Sequence, residues 1–187
     1  MTFPDIPTLK TPRLLLRKLT PEDAPDYFRH LFGSQAVSQY MLWAPHKELS
    51  ESVASIQKVL RRYEEGRCYR WGIVLAETGS LVGIVELLRF DEEVQSCSFA
   101  YMLGEDFWGR GYGTEALTAA FDFAFLWMGV HSITADHFAE NPASGRVMEK
   151  VGMQKTGIYP GKYVKNGISH DAIEYRITKE EWHKARH

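Results

Sequence analysis

FWGRGYGTEAL, residues 107–117, places Gly109, Gly111 and Gly113 at alternate positions, with Arg110 between the first two, directly ahead of a helical pattern. Glycine removes Cβ interference, so backbone N–H groups can crowd together at this junction. The pattern that follows repeats Ala116, Leu117, Ala120, Phe121, Ala124, Phe125 and Met128 at three- and four-residue steps. Such a helix opens with unpaired N–H groups and the positive end of its dipole. Shape, donors and charge together suit an anion, and phosphate above all. A tight strand-to-helix turn would explain a pair of these glycines, but it does not call for all three plus an arginine.

The flanking sequence says what kind of sheet carries the turn. Segments 69–77, 81–90 and 95–103 read as strands separated by the turn compositions ETGS and DEE, which predicts an antiparallel meander. Upstream, 13–19 (RLLLRKL) suits a strand that ends at the helix start Thr20-Pro21-Glu22-Asp23, and a helix is expected through about Leu31. A second helix is expected over 50–65, its apolar face made of Val53, Ile56, Val59, Leu60 and Tyr63, with Gly66 as its stop. Downstream come a strand at 132–138 and a helix from Asn141-Pro142 to Lys150. Two strands then flank Lys165-Asn166-Gly167, and the capping box Thr178-Lys179-Glu180-Glu181 opens a short final helix. The order β-α-α-β-β-β-α-β-α-β-β defines a mixed α/β (α+β) class, with the glycine turn beside the carboxyl end of the fourth strand, where open sheets keep their ligands.

Other phosphate loops fit less well. The dinucleotide fingerprint needs GxGxxG inside a βαβ unit, whereas the spacing here is GxGxG and the neighbouring strands read as antiparallel. A Walker loop needs a lysine where this chain has Glu115, and no HRD or DFG run is present to support a kinase.

Composition narrows the class further. The chain has 187 residues, 44% of them hydrophobic and 25% charged, as expected of a single soluble domain spanning 1–187. A formal net charge of −2 steers it toward neither nucleic acid nor anionic membrane. Cys68 and Cys97 form no CxxC pair and sit among strand-like residues, which favours reduced core thiols and a cytoplasmic location. No signal-like segment and no run approaching the ~18–20 residues of a membrane span is visible. The histidines are scattered, and the one helical pair, His183 and His187, has no further ligand nearby, so no metal is expected.

The stretch YMLGEDFWGRGYGTEAL resembles the central motif of the GNAT acyltransferases, in which a strand, a glycine-rich loop and a helix grip the pyrophosphate of acetyl-CoA. Together with TPRLLLRKLTPEDA, NPASGRVMEKVGM and YVKNGISHDAIEYRITKEEW, in order over roughly 10–182, it is similar to the Rim-like branch that acetylates protein amino termini and small amines. The resemblance implies a mixed, mostly antiparallel sheet of six to seven strands flanked by about four helices. It also implies acetyl-CoA as cosubstrate, held by Trp108, Gly109, Arg110, Gly111, Tyr112, Gly113 and Thr114, with the charge of Arg110 added to the amides. Met102 and Leu103 would run beside the pantetheine arm, Asn141 would cap the following helix and touch that arm, and Ser144 would face the thioester sulfur. A homodimer is common in the branch, although no sequence feature requires one.

Acetyl transfer to an amine needs a neutral amine, a stabilised oxyanion and a proton for the departing thiolate. The resemblance places the oxyanion donor on a backbone N–H near Met102 or Leu103, freed by a bulge. The tyrosine that many relatives carry one turn beyond Asn141 is replaced here by Val147 or Met148, which leaves Ser144 as the candidate acid. The strand-four glutamate is also missing, since the run reads Ser98-Phe99-Ala100-Tyr101. Glu86, inside the apolar run VGIVELL, is the substitute base, because burial would raise its pKa; the alternatives are an ion pair or a solvent-facing carboxylate. Asp136 and His137 are further titratable candidates on opposite faces of their strand. The acceptor, a small amine or a protein amino terminus, would meet an aromatic wall from Tyr40, Met41, Leu42, Trp43, Pro45, His46, Tyr159, Tyr163 and His170. Two competing readings stand beside the enzyme: a non-catalytic acyl-CoA-binding sensor, and an interaction domain that binds no coenzyme.

Overall fold

The meander forms as expected, and its continuation sets up the site. In the computed structural model, which describes residues 1–66 and 68–185, one eight-stranded sheet runs in the order β1-β2-β3-β4-β5-β6-β8-β7. The strands are β1 Leu9–Lys10, β2 Leu14–Arg17, β3 Tyr69–Leu75, β4 Leu81–Asp91, β5 Ser96–Leu103, β6 Ser132–Phe138, β7 Gln154–Lys165 and β8 Ile168–Thr178. The helices are α1 Ala24–Asp26, α2 Gln35–Ser38, α3 Leu49–Glu64, α4 Tyr112–Leu126, α5 Pro142–Lys150 and α6 Lys179–Lys184. The sheet therefore exceeds the expected six or seven strands by the two-residue β1, which is too short to show any alternation in sequence. The helix expected through Leu31 is broken into a 3₁₀ turn at Pro21–Asp23, the single turn α1 and a π-helical turn at Tyr27–Phe32.

Neighbouring strands are antiparallel except for β5 and β6, which are parallel and paired only at Ser96↔Ser132, Cys97↔Ile133 and Ser98↔Thr134. Beyond these pairs β5 stays with β4 as far as Gly83↔Leu103, while β6 stays with β8 as far as Phe138↔Ala172. The two halves of the sheet thus part company, and each leaves a backbone edge facing the gap.

One core lies between the sheet and α4, whose Leu117, Ala120, Phe121, Ala124 and Phe125 are all fully buried. Phe121 is its hub, with ring centroids 5.0 Å from Phe99, 5.6 Å from Trp182 and 6.3 Å from Phe125. A smaller core on the opposite face packs Tyr27, Leu31, Ile56 and Val59 against Leu81 and Ile84. The inner face of α3 is carried by Ser52, Ile56 and Val59, whereas Val53, expected inside, is 38% exposed. Ser52 is drawn in by its hydroxyl, which lies 2.8 Å from Nδ1 of His46. Cys68 and Cys97 are free and buried, and burial pushes the Cys97 thiol up to about 12. No helix among the described residues is long and apolar enough to cross a membrane.

Truncating Phe121 to alanine removes the hub without access for solvent, so Phe121→Ala is expected to lose about 3–5 kcal/mol in urea unfolding.

Candidate active site

The gap between β5 and β6 is flanked by two cavities of similar size, ≈ 380 and ≈ 390 Å³, that share Tyr40, Met41, Tyr101, Asn141 and Ser144. The first cavity is bounded by Met102 and Leu103 on β5, the glycine turn, and α5. The second lies toward the start of β5 and takes in Ser98, Ala100, Asp136 and Tyr163. A reacting centre served from both sides has to sit where they meet.

Backbone hydrogen bonding shows which amides face the gap. Gly104 N–H donates to Val82 C=O at 2.9 Å on the β4 side, and His131 N–H donates to Gln95 C=O at 2.7 Å on the β6 side. Because successive residues of a strand point their polar groups to opposite edges, Phe99, Tyr101 and Leu103 present theirs toward the gap, where β6 has already left. The register across β4 and β5 is unbroken from Gly83↔Leu103 to Leu88↔Ser98, so the bulge expected at Met102 or Leu103 is not there. Strand divergence supplies the free N–H groups instead. One acceptor on this edge is already used, since Trp108 Nε1 donates to Leu103 C=O at 2.8 Å.

The glycine turn has the conformation its sequence calls for. Gly109 and Gly111 have φ of 74° and 81°, in the left-handed region that favours glycine, and Gly111 immediately precedes α4. A Cβ built on Gly109 would meet nothing within 4 Å, so the turn is open on that side, while one on Gly113 would reach Leu103, Tyr101 and Val147 at 3.4–3.5 Å. Trp108, Gly109, Gly111, Tyr112, Gly113 and Thr114 all line the first cavity. Arg110 does not: its guanidinium lies 6.0 Å over the Phe107 ring, and its carbonyl accepts a 2.8 Å bond from Arg13 Nη1. Two other cations face the cavity, Arg146 and Lys150, four apart on α5 and so on one side of it. Sequence reading passed over them, although that spacing was the available signal.

Glu115, the acid that argued against a Walker loop, acts as a brace. Its carboxylate accepts from Thr11 Oγ1 at 2.6 Å, Arg13 N at 2.9 Å and Arg13 Nε at 2.7 Å, tying the start of α4 to the β1–β2 turn. Burial alone would raise its pKa, but these donors and the Arg13 charge outweigh it and hold the carboxyl below its ordinary range.

At the junction of the cavities, Asn141 caps α5 by accepting from Ser144 N–H at 3.3 Å, and the Ser144 hydroxyl accepts from Tyr101 Oη at 3.4 Å. Tyr101 is a further polar group at the junction, lining both cavities, and the sequence alone does not mark it. It belongs to the run Ser98-Phe99-Ala100-Tyr101, and nothing local to β5 says that its ring reaches α5. Burial raises its pKa, and the Ser144 hydroxyl lowers it in part, so the phenol stays protonated.

Glu86 requires correction. It lines neither cavity, and its carboxylate is held by Arg70 (Nε to Oε2 2.9 Å, Nη2 to Oε2 2.5 Å) and Arg62 (Nη2 to Oε1 3.0 Å). Asp136 and His137 do face opposite ways: Asp136 is bound by Lys162 Nζ and Tyr163 Oη, while His137 is buried and stacked on Tyr175 at 5.7 Å. His137 Nδ1 donates to Phe138 C=O at 2.7 Å, which leaves Nε2 as a buried lone pair without a partner, lodged under Gly145. Of the expected acceptor wall, Tyr40, Met41, Leu42 and Tyr163 line the second cavity. Trp43 and His46 instead stack on Phe32 at 4.5 and 5.1 Å, Tyr159 and Pro45 lie outside, and His170 packs edge-on to Phe138. His187 lies outside the described residues.

A split parallel strand pair, a glycine turn with a helix start at the gap, and a capped second helix across it together define an acyl-coenzyme-A-dependent acyltransferase architecture. The acetyltransferase (GNAT) domain matches residues 13–154, and the chain belongs to this family of N-acetyltransferase enzymes. It is 29% identical over 173 residues to the N-acetyltransferase YoaA of Bacillus subtilis, covering 92% of this chain and 97% of that protein. The ribosomal protein uS5-alanine N-acetyltransferase of Escherichia coli is 23% identical, covering 95% of this chain and 94% of its own. Among solved structures, a GNAT-family acetyltransferase from Bacillus anthracis shares the fold with a TM-score of 0.83 at 23% identity, over 93% of this chain and 99% of that one.

Removing one partner of the Glu86 cluster strands Arg70 in the interior. Glu86→Ala is therefore expected to cost about 3–5 kcal/mol in urea unfolding, while Glu86→Gln should leave the acidic limb of the transfer pH profile in place. Releasing the brace should act on the cofactor side alone: Glu115→Ala is expected to raise the KM for acetyl-CoA several-fold with little change in the KM for amine. Because its folded pKa is depressed, the brace is fully present above about pH 4.3 and is lost as pH falls through the lowered value. Calorimetric titration of acetyl-CoA across that range should show affinity falling only at the acid end.

Proposed function

We propose that this chain transfers the acetyl group of acetyl-CoA directly to a primary amine, that of a protein amino terminus or a small molecule, within a ternary complex. The observation that carries this is the meeting of the two cavities at Tyr101, Asn141 and Ser144, beside the free edge of β5. The residues present fit the cosubstrate. The open cradle at Gly109 and the start of α4 suits a pyrophosphate, Arg146 and Lys150 add positive charge, and the polar edge at Tyr101 and Leu103 suits an amide-bearing arm laid alongside as a further strand. Bound there, acetyl-CoA supplies an acyl group activated as a thioester.

The chain's own groups cover the remaining needs. Edge N–H groups of β5 would stabilise the negative charge developing on the acyl oxygen of a thioester laid along that edge. Ser144, in contact with the Tyr101 phenol, holds a proton at its hydroxyl for the departing thiolate. Among the described residues Glu86 and Asp136 are ion-paired, Glu140 lies against His170, and His137 Nε2 is buried beneath Gly145. The amine proton is then left to water, and the pH dependence of transfer should follow the amine's own pKa. Free buried thiols at Cys68 and Cys97 suit a reducing, cytoplasmic setting.

A thiol-release assay with acetyl-CoA against amino-terminal peptides, polyamines and aminoglycosides tests the assignment. Ser144→Ala is expected to lower kcat by about tenfold or more with acetyl-CoA affinity retained. Tyr101→Phe should produce a smaller loss in the same direction, and an unchanged rate in both would remove the hydroxyl pair from the mechanism. A sensor would bind acetyl-CoA in calorimetry with no release against any amine, and a pure interaction domain would not bind it.

A further inference from the structure

The second cavity carries information about the acceptor, on the reading that it is the amine side of the site. Its floor is the face of the sheet opposite α4, where Ser96, Ser98 and Ala100 of β5 and Thr134 of β6 offer only small side chains, and Ala100 is exposed in the middle of a central strand. Tyr40 to Leu42 and the Lys162–Tyr163 segment form its sides. The result is a trough that follows β5 from the reacting junction at Tyr101 back toward Ser96.

At the far end of the trough lies Arg89. The β4–β5 register is broken between Leu88 and Asp91, and Arg89 in that break has φ of 51°, a left-handed conformation unusual for arginine. The break re-aims the side chain: Arg89 lines the cavity, and its positive charge opposes the rise that burial and Asp136 impose on the Tyr163 hydroxyl. Among the described residues Arg89 makes no ion pair and no side-chain hydrogen bond, although the turn after it is acidic. Asp91 there is occupied by the N–H groups of Glu93 and Val94. The cavity's own carboxylates are engaged as well, Asp136 with Lys162 and Tyr163, and Glu174 with the hydroxyls of Thr156 and Tyr159. The lining thus holds two charges without an ion partner, the Glu174 carboxylate, which already accepts from two hydroxyls, and the Arg89 guanidinium, which is left to hold an anionic group of an acceptor.

Spacing says where that group must lie. Leu88 pairs with Ser98, three residues from Tyr101, and a strand rises about 3.3 Å per residue, so the backbone at Arg89 stands roughly 10 Å along the strand from the junction. An extended peptide covers the distance in about three residues. We infer that the acceptor is the amino terminus of an extended peptide lying in this trough, with an acidic side chain at its third or fourth residue held by Arg89.

The test uses the whole chain with acetyl-CoA and C-terminally amidated alanine-rich pentapeptides, in which one aspartate is moved from the second to the fifth residue, with asparagine and lysine at the same places and spermidine for comparison. The expected result is a kcat/KM about tenfold higher for aspartate than for asparagine at the third or fourth residue. Arg89→Asn keeps a residue that tolerates the left-handed backbone, and should bring the two peptides level. Arg89→Glu should move the preference to lysine. Equal rates for aspartate, asparagine and lysine, a preference that survives Arg89→Asn, or spermidine as the better acceptor would overturn the inference. If peptides fail while other amines are acetylated, the inference falls and the acetyltransferase reading stands; if calorimetry detects no acetyl-CoA binding, both fall.

Discussion

The site depends on two parallel strands that stop pairing. β5 and β6 share a register over Ser96–Ser98 and Ser132–Thr134, and then each follows its antiparallel neighbour, β4 or β8. Antiparallel pairing on the outer sides is longer and holds each half to its own twist, so the short parallel seam cannot close the rest. Backbone groups left on an inner edge need partners, and apart from Trp108 Nε1, which donates to the Leu103 carbonyl, these have to come from solvent or a ligand. An extended, amide-bearing ligand replaces that water with hydrogen bonds already oriented, which is how a gap in a sheet becomes a binding site.

Helix termini complete what the gap begins. α4 starts on one side with its glycine turn and α5 starts on the other with its Asn141 cap, so both positive dipole ends lie beside the cleft. The arrangement is held from outside. Glu115 fastens the first turn of α4 to Thr11 and Arg13, and Arg13 also grips the Arg110 carbonyl and lies 4.7 Å over the Tyr112 ring. A charge that looked anomalous for a phosphate loop thus serves the loop's shape rather than its ligand.

Charge is treated differently on the two faces of the sheet. Glu86, Arg70 and Arg62 form a cluster under α3 whose members satisfy one another, and Arg17 with Asp23 does the same at the entry to the first helical segment. Such clusters tie the helices to the sheet, and Glu86 lines neither cavity. Near the junction the polar groups are neutral hydroxyls and backbone amides, suited to a reaction whose leaving thiol needs only modest help.

The amino-acid sequence alone determined the strand and helix order, the antiparallel meander, the capped helix starts and the glycine turn, because each is dictated by local periodicity, φ preference or capping chemistry. Most of the loop residues it singles out line the first cavity, and the Asn141 cap forms, for the same reason. Tertiary structure alone decided which side chains meet across elements. The Tyr101–Ser144 contact joins a strand to a helix, the Glu86–Arg70–Arg62 cluster joins two strands and a helix, and the Arg110 guanidinium lies over the Phe107 ring while its backbone carbonyl accepts from Arg13. The source of the free β5 amides was equally out of reach, since strand divergence is a property of two half-sheets pulling on one seam and leaves no mark on the residues of either strand.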